Sequence, residues 1–326
     1  MWRVLVSAAV VGAAAWGIWE YGEREGVPTV LSHEHPTQEV DLDAYFDRRE
    51  ADVPNLRAAA RARIVWAGEP GARTGLALVY LHGFSANAEE IRPVPDRVAE
   101  ALGANLIFTR LSGHGRDGAA MAEPRAGDWL ANLSEAVAAG RLAGDRVILM
   151  GTSTGGTLAA LAATDPDLAG ALAGVVLISP NFRIANPMAE LLGWPYARYW
   201  LPPVTGLERS FEPVNAGHAE HWTTSYPSVA TLPLGALVAH AMAQDFSAAT
   251  VPVLMLFSDS DQVVDHTVTR AVAEAWGGEA TVKPVDLPAT GVDPSHHVIA
   301  GDILSPAMND FAIQSILDWV RALPDG

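Results

Sequence analysis

The sequence predicts an α/β protein whose mostly parallel sheet is covered by helices on both faces. Short β-rich runs alternate along the chain with segments of helical periodicity, and this alternation is typical of parallel strands joined by crossover helices. The chain has 326 residues, of which 49% are hydrophobic and 18% are charged, so it can form a full-sized core. In such sheets we expect ligands to bind where the strands end, at the carboxyl edge.

Seven strands and one long insertion are predicted. The strands cover residues 63–67, 76–81, 105–109, 146–150, 174–179, 252–257 and 281–285. The segment 182–246 is too long for a connecting loop, and it is rich in proline, tryptophan and tyrosine. We therefore predict a core over residues 63–181 and 247–326, with a cap, or lid, inserted over residues 182–246.

The first 21 residues have the pattern of an export signal. An apolar stretch over residues 4–19 follows Arg3 and precedes three glutamates, and by the positive-inside bias this pattern places the amino terminus in the cytoplasm and the rest of the chain outside. Sixteen helical residues extend about 24 Å, which is short for a hydrocarbon core of about 30 Å. Residues 1–21 are therefore predicted to be a signal anchor or a signal peptide, followed by an extension over residues 22–62.

This prediction makes the protein exported, periplasmic or extracytoplasmic, with membrane association through residues 2–21. The alternative interpretation of the same short apolar stretch is a buried amino-terminal helix of a cytoplasmic protein.

The charge and the cysteine content exclude several classes of partner. The 38 acidic and 21 basic residues give a net charge of −17, which repels phosphate backbones, so no nucleic-acid partner is expected. The chain has no cysteine, hence no disulfide and no thiolate metal site, and nothing in the sequence calls for a metal or a cofactor. Arg183, Arg198 and Arg209 are scattered through the cap, so a highly charged substrate is not expected.

A serine turn provides the candidate nucleophile. Gly151 and Gly155 flank Ser153 at two residues on either side, behind the apolar run 147–150 and ahead of an alanine- and leucine-rich helical segment. In a strand-turn-helix nucleophile elbow the serine adopts a strained conformation, and its neighbours at these two places must be small because the chain passes too close for a Cβ atom. Ser153 is therefore the predicted nucleophile.

A serine hydroxyl needs an imidazole base and a carboxylate that orients this base. After Ser153 the chain offers acids just beyond the apolar run 253–257, among them Asp259 and Asp261, and then the adjacent histidines His296 and His297. All of these groups follow predicted strands, and the order serine, acid, histidine is one of three that serine hydrolases use. The residues alone do not decide which acid and which histidine serve Ser153.

Four segments together resemble serine α/β-hydrolases of the carboxylesterase and monoacylglycerol-lipase type. They are the run 81–84 (Leu-His-Gly-Phe), the run 113–115 (Gly-His-Gly), the elbow at Ser153, and the acid and histidine loops 258–264 and 295–298. The resemblance covers about residues 63–322 and implies the α/β-hydrolase fold with an inserted helical cap. It also implies an oxyanion hole formed by the backbone N–H groups of Phe84 and Thr154, aided by the positive end of the following helix.

The resemblance also selects the acid and the base. The family pattern Gly-X-X-Asp-X-X-Val favours Asp261, with Ser258 in place of the glycine, and Asp259 as the alternative. The pattern Ser-X-His-Val favours His297 and puts His296 where glycine is common.

The other histidines receive structural roles. His82 and His114 are expected to order loops and not to act as the base. His218 and His221 lie one helical turn apart, but they lack a third ligand for a metal, so a role in the cap is expected.

These observations predict an ester hydrolase that acts through an acyl-enzyme on a small molecule with an apolar acyl or aryl group. The cap contributes Trp194, Tyr196, Tyr199, Trp200, Trp222 and Tyr226 as candidate walls of the acyl pocket. The activity should rise with pH through about 6.5, because the histidine base must be neutral. An acyltransferase or aminopeptidase on the same fold, and a non-catalytic ligand-binding module, are the competing functions, and the sequence does not specify an oligomeric state.

Overall fold

A computed structural model describes residues 2–27, 36 and 41–324 of the chain. The strands of this described part are β1 Arg63–Val65, β2 Thr74–Leu81, β3 Asn105–Phe108, β4 Gly144–Thr152, β5 Leu172–Ile178, β6 Glu208–Ser210, β7 Ser225–Pro227, β8 Val253–Phe257 and β9 Ala280–Pro284. Its helices are α1 Trp2–Tyr21, α2 Leu42–Ala51, α3 Val94–Leu102, α4 Ala126–Ala143, α5 Thr154–Thr164, α6 Pro166–Ala169, α7 Ala197–Thr205, α8 Ala216–His221, α9 Thr231–Met242, α10 His266–Ala275 and α11 Asn309–Ala322.

Seven of the strands form one sheet in the order β1-β3-β2-β4-β5-β8-β9. β1 pairs antiparallel with β3, and every other neighbouring pair is parallel. This sheet confirms the predicted fold class, and each of the seven predicted strands is present with its ends within two residues of the prediction. The carboxyl ends of β4, β8 and β9 lie on the same edge of the sheet because these strands are parallel.

The strands pack on both faces of the sheet, which explains their continuous apolar runs. In β2, Val79 and Leu81 belong to the apolar cluster that includes side chains of α4 and α5. Leu78 and Tyr80 belong to the cluster that includes side chains of α3 and α11. Since successive side chains of a strand point to opposite faces, a strand with helices on both sides needs apolar residues at every position.

The segment between β5 and β8 contains α7, α8, α9 and a small antiparallel ribbon formed by β6 and β7. Its own apolar cluster comprises Leu192, Ala197, Leu201 and Leu232. The two ribbon strands are not among the strands that the sequence predicts, because each has only three residues and their charged and proline residues hide a strand pattern. The boundaries of the cap at 182 and 246 stay a prediction.

The amino-terminal segment contacts the cap. The rings of Trp19 and Trp194 lie 5.5 Å apart in an edge-to-face arrangement, and the backbone N–H of Tyr196 donates to the Glu23 carbonyl. The buried carboxylate of Glu25 pairs with Arg125, which precedes α4, and with Arg198 of α7. Glu25 therefore joins this segment to both the core and the cap.

No helix within residues 2–27 and 41–324 combines the length and the apolar character that crossing a bilayer requires. The predicted extension 22–62 lies partly outside the described residues, at 28–35 and 37–40. Its described part contains α2, whose Glu50 forms a buried ion pair with Arg110 of the core.

Candidate active site

Ser153 lies at the tip of the turn between β4 and α5, in a conformation that few residues adopt. Its backbone angles are φ 52° and ψ −114°, and its N–H donates to the Ile178 carbonyl of the neighbouring strand at 2.9 Å. A Cβ atom at Gly151 would lie 2.2 Å from the Gly155 carbonyl oxygen, and one at Gly155 would lie 2.0 Å from the Leu81 carbonyl oxygen. Both positions therefore need glycine, and the tight turn presents the Ser153 side chain to a cavity.

His297 and Asp261 come together from two loops at the carboxyl edge of the sheet. The Nδ1 atom of His297 lies 2.8 Å from Oδ2 of Asp261, and the other carboxylate oxygen accepts hydrogen bonds from the N–H groups of Val263 and Val264. Because a carboxylate only accepts, Nδ1 carries a proton, and in the neutral imidazole Nε2 therefore has the lone pair.

Ser153 and His297 both line the same cavity. In the part of the chain that the structure describes, no hydrogen bond joins the Ser153 hydroxyl to Nε2 of His297. Such bonds are often long in a ligand-free site and tighten when substrate binds.

The surroundings of His297 control its pKa. Burial alone lowers the pKa of this imidazole, but the charge of Asp261 and its hydrogen bond raise it, and Glu90 and Asp293 add to the rise. The net effect places the pKa of His297 above its ordinary value, so the protonated form is stabilised.

The alternative acid and histidine occupy different positions. Asp259 is half exposed and pairs with Arg270 at 2.6 Å. His296 adopts a left-handed backbone conformation with φ 57°, which explains why glycine is common at this place in the family pattern. The geometry therefore joins Asp261 to His297 and leaves Asp259 and His296 outside the pair.

Asp293 holds the histidine loop and was not anticipated from the sequence. Its Oδ2 atom accepts hydrogen bonds from the N–H groups of His297 and Val298 and from the Ser295 hydroxyl. Burial raises the pKa of Asp293, but these hydrogen bonds lower it further, so the net pKa is below its ordinary value. The Asp-Pro-Ser sequence at 293–295, which is typical of an aspartate-capped turn, was the available signal.

The backbone N–H groups of Phe84 and Thr154 are the predicted oxyanion donors. Thr154 is the first residue of α5, where an N–H has no intrahelical acceptor. Phe84 lies in the loop after β2, and within the described ranges its N–H donates to no protein acceptor. A Cβ atom at Gly83 would lie 3.2 Å from the Cβ atom of Ser153, which shows how closely this loop approaches the serine.

A second residue that the sequence analysis missed is Glu90, which is completely buried beside this loop. Its Oε2 atom accepts hydrogen bonds from the Gly83 N–H at 2.7 Å and from the Tyr80 hydroxyl at 2.9 Å. The Tyr80 oxygen lies 3.0 Å from the hydroxyl oxygen of Thr152, the residue before Ser153. The carboxylate therefore links the loop after β2 to the end of β4.

Burial raises the pKa of Glu90 to about 7, against the lowering effect of the two hydrogen bonds and of His297. This carboxyl group therefore changes its charge near neutral pH. No short motif marks Glu90 in the sequence, since its partners come from β2 and from the turn after it.

His82 and His114 are buried and neutral. Nδ1 of His82 lies 2.9 Å from the Gly83 carbonyl oxygen, and its Nε2 accepts from the Leu111 N–H. Burial lowers the pKa of His82 to about 4 and lowers the pKa of His114 well below its ordinary value. The two rings pack against each other with centroids 5.1 Å apart, as expected of residues that order a loop.

The cavity has a volume of about 520 Å³, within the ordinary range for small-molecule sites. Its walls are mainly apolar and include Met188, Leu192, Leu201, Trp222, Tyr226 and Leu234. Trp222 and Tyr226 are thus two cap aromatics that do line the pocket. Trp194, Tyr196 and Tyr199 are instead among the exposed large side chains, and Trp200 packs inside the cap.

The three arginines of the cap differ in their surroundings. Arg183 pairs with Glu190 and Asp265, and Arg198 pairs with Glu25. Arg209 alone of the three lines the cavity. The three arginines therefore do not form a cluster, and Arg209 is the one whose side chain borders the cavity.

His218 packs against aromatic residues of the cap. His218 stacks on Phe211 and contacts Trp222 edge-on, and its Nδ1 accepts from the Val214 N–H. Across residues 2–27 and 41–324 no group of three histidine, cysteine or acidic residues is arranged to hold a metal ion.

The doubly covered sheet and the serine elbow at its carboxyl edge define an α/β-hydrolase. The sequence matches the family described as serine aminopeptidase, S33, over residues 73–285. The chain therefore belongs to this family of α/β-hydrolases. A comparison with curated protein sequences found no match.

Solved structures with this fold include several lipolytic enzymes. A structure from the work on the metagenome-derived lipolytic enzymes LipS and LipT has a TM-score of 0.65 at 20% identity, over 82% of this chain and 99% of that chain. The monoacylglycerol lipase of Paleococcus ferrophilus has a TM-score of 0.58 at 15% identity, over 81% of this chain and 98% of that chain. A soluble variant of the Saccharomyces cerevisiae monoglyceride lipase has a TM-score of 0.56 at 11% identity, over 84% of this chain and 96% of that chain. At these identities the likeness shows the fold.

Proposed function

We propose that the protein is a serine ester hydrolase that cleaves carboxylic esters with an apolar acyl or aryl group. The observation that supports this proposal is that Ser153, at a strained elbow, and His297, bonded to Asp261, line one largely apolar cavity. The structural likeness to lipases and to a monoglyceride lipase bound to a substrate analogue agrees with an ester substrate.

The reaction proceeds in two halves. In the first half, Nε2 of His297 takes the Ser153 proton while the serine oxygen bonds to the ester carbonyl carbon. The bond to the alcohol oxygen then breaks, His297 returns the proton to this leaving oxygen, and an acyl-enzyme remains. In the second half, water loses a proton to His297 and attacks the acyl carbon. The acid is released, and Ser153 regains its proton.

Asp261 and the two backbone donors support both halves. Asp261 keeps the proton of the neutral imidazole on Nδ1 and stabilises the imidazolium that forms in each half. The N–H groups of Phe84 and Thr154 stabilise the oxyanion, and their fixed orientation means that little reorganisation is needed as charge develops.

The charges around the cavity favour an ester over the free amino terminus of a peptide. An aminopeptidase needs an available carboxylate for the substrate ammonium group. The acids that line this cavity, Glu90 and Asp293, already accept hydrogen bonds from backbone N–H groups, and the cavity also contains the cation Arg209. An acyltransferase would share the same acyl-enzyme, and an added alcohol that competes with water would reveal it.

The test combines active-site labelling with a series of p-nitrophenyl esters of increasing acyl length. A fluorophosphonate probe should label the folded protein and fail to label Ser153→Ala, whose kcat should be lower by about 10⁴ to 10⁶-fold. Ser134→Ala is the matched control, because the hydroxyl of this helical serine donates to the Leu130 carbonyl and does not line the cavity. Absence of labelling in folded wild-type protein would favour a non-catalytic binding module.

We also propose that the protein is exported and held at the membrane by residues 2–21. The supporting observation is Arg3 ahead of an apolar stretch that ends at three glutamates. Cell fractionation tests this location: recovery of the protein in the cytoplasm alone would contradict it.

A further inference from the structure

Arg209 is an unusual component of an apolar cavity because its charge has no ion-pair partner among the described residues. The guanidinium forms no ion pair and no hydrogen bond with any residue in the described ranges, and its Nε atom is buried without an acceptor. An unpaired cation in a partly buried apolar site is costly. The cost is offset if a ligand supplies the missing anion.

The ribbon of the cap directs Arg209 to the cavity. Arg209 in β6 lies directly opposite Tyr226 in β7, and paired residues of two strands project from the same face. Arg209, Phe211 and Tyr226 line the cavity. The alternating residues Glu208, Ser210 and Glu212 are exposed, as the pleat requires. The acids next to Arg209 in sequence thus lie on the opposite face.

Tyr226 adds a hydrogen-bond donor next to the cation. Burial raises the pKa of its phenol, and the nearby charge of Arg209 opposes this rise, so the phenol is protonated at neutral pH. Its ring contacts Phe84 edge-on, with centroids 5.4 Å apart. The Tyr226 ring therefore lies next to the predicted oxyanion residue, and Arg209 lines the same cavity as Ser153.

The remaining charged groups of the cavity do not neutralise Arg209. Glu90 and Asp293 are bound to backbone N–H groups, and neither lies within ion-pair distance of Arg209 in the described part of the chain. Burial lowers the pKa of His218, so this ring carries no charge at neutral pH. The cavity therefore has one permanent cation for the substrate.

We propose that Arg209, with Tyr226, binds a carboxylate of the substrate, so that the preferred substrates are esters with one anionic end. A guanidinium binds a carboxylate through two parallel hydrogen bonds, and one cation balances a single negative charge. A phosphate dianion would leave one charge uncompensated in an apolar cavity. This inference rests on the proposed ester hydrolysis, and it adds the substrate class.

Binding to the inactive Ser153→Ala variant tests the inference separately from catalysis. Titration calorimetry compares two pairs of esters. Monomethyl suberate, whose carboxylate lies on the acyl side of the ester, is compared with dimethyl suberate. 8-Acetoxyoctanoate, whose carboxylate lies on the alcohol side, is compared with its methyl ester. We expect the anionic member of at least one pair to bind about tenfold or more tightly, since a hydrogen bond to a charged group typically contributes this much. 8-Acetoxyoctyl phosphate, the third ligand, should bind more weakly than the carboxylate, and tighter binding would overturn the choice of anion.

Three further substitutions are each combined with Ser153→Ala. Arg209→Gln should abolish the preference for the anionic ester, and Arg209→Lys should retain part of it. Arg183→Gln removes an equal charge outside the cavity and should leave the preference intact. Thermal unfolding of each variant checks that it folds. Equal binding within both ester pairs, or equal loss in Arg183→Gln, would overturn the inference.

Hydrolysis by the protein with Ser153 intact separates the two proposals. Cleavage of the neutral esters with no dependence on Arg209 would refute the carboxylate site and leave the hydrolase intact. Preferential binding of the anionic esters without any cleavage would refute the hydrolase and leave the carboxylate site intact.

Discussion

The Nδ1 atom of His297 lies 2.8 Å from Oδ2 of Asp261, although the two residues are 36 positions apart in the chain. Two backbone N–H groups hold the carboxylate, and Asp293 holds the backbone of the histidine. The orientation of the imidazole is thus determined from both sides before a substrate arrives, which is the arrangement that a general base requires.

Replacement of Asp261 or of the nearby Asp259 by asparagine should have very different effects on activity. Asp261→Asn replaces the acceptor of the Nδ1 proton and should lower kcat on a p-nitrophenyl ester by about 10³ to 10⁴-fold. Asp259→Asn removes exposed ion pairs with Arg270 and His266, so it should retain activity and change the free energy of unfolding by less than about 1 kcal/mol. Steady-state kinetics of both variants decide this, and a larger loss in Asp259→Asn would reverse the assignment.

The two adjacent histidines provide a second matched pair. His297→Gln should lower kcat by about 10⁴ to 10⁶-fold, because the base is lost. His296→Gly should retain activity, and its stability should remain within about 1 kcal/mol of wild type, since glycine adopts the positive φ of this position without strain. Inactive but folded His296→Gly would show that this ring takes part in the reaction.

The pH profile should reflect the raised pKa of His297. Only the neutral imidazole can accept the Ser153 proton, so kcat/KM should rise with pH through the pKa of His297. The sequence alone suggested about 6.5 for this midpoint, whereas the charges of Asp261, Glu90 and Asp293 move it upward. Measurement of kcat/KM from pH 5 to 9 tests the direction, and a midpoint below 6 would contradict it.

Glu90→Gln should separate the structural and electrostatic effects of the buried carboxyl group. The amide oxygen can still accept from the Gly83 N–H, but one charge that raises the pKa of His297 is removed. The midpoint of the pH profile should therefore move to lower pH. A variant that only loosened the loop would lower kcat without moving this midpoint.

The same substitution makes a prediction for stability. The pKa of Glu90 is raised in the folded protein to about 7, so the folded state binds more protons than the unfolded state between about pH 4.5 and 7. Wild-type stability relative to Glu90→Gln should therefore fall as the pH rises through this window, by up to about 3 kcal/mol. Urea unfolding at pH 5 and pH 8 measures the difference, and an increase with pH would contradict the burial of this charge.

Glycine substitutions test the geometry of the elbow. Gly155→Ala places a Cβ atom 2.0 Å from the Leu81 carbonyl oxygen, so it should destabilise the protein by about 1–3 kcal/mol or more and lower esterase activity. Gly170→Ala meets no atom within 4 Å and lies at φ −61°, so stability should be unchanged or slightly higher. Thermal unfolding and ester hydrolysis are measured for both variants. Normal activity in Gly155→Ala would refute the claim that the turn at Ser153 has no room for a Cβ atom at residue 155.

Local signals explain why much of the sheet could be predicted from the sequence. Each of the seven strands carries a run of apolar residues that is visible within a short window, and the glycines around Ser153 are close in sequence to the residue they serve. The ribbon strands β6 and β7 escaped prediction because three residues show no periodicity. Glu90 and Arg209 escaped for a different reason. Glu90 is important because folding buries it and places it beside the Gly83 N–H and the Tyr80 hydroxyl. Arg209 is important because folding places it in an apolar cavity where its Nε atom has no acceptor among the described residues.

Glu25 gives the segment before the core an unexpected influence on the pocket. Its carboxylate is 6% exposed and bonds to Arg125 of the core and Arg198 of the cap, so movement of α7 away from the core breaks an ionic link. Leu201 and Thr205 of α7 line the cavity, so residues before the core help to fix the position of one cavity wall.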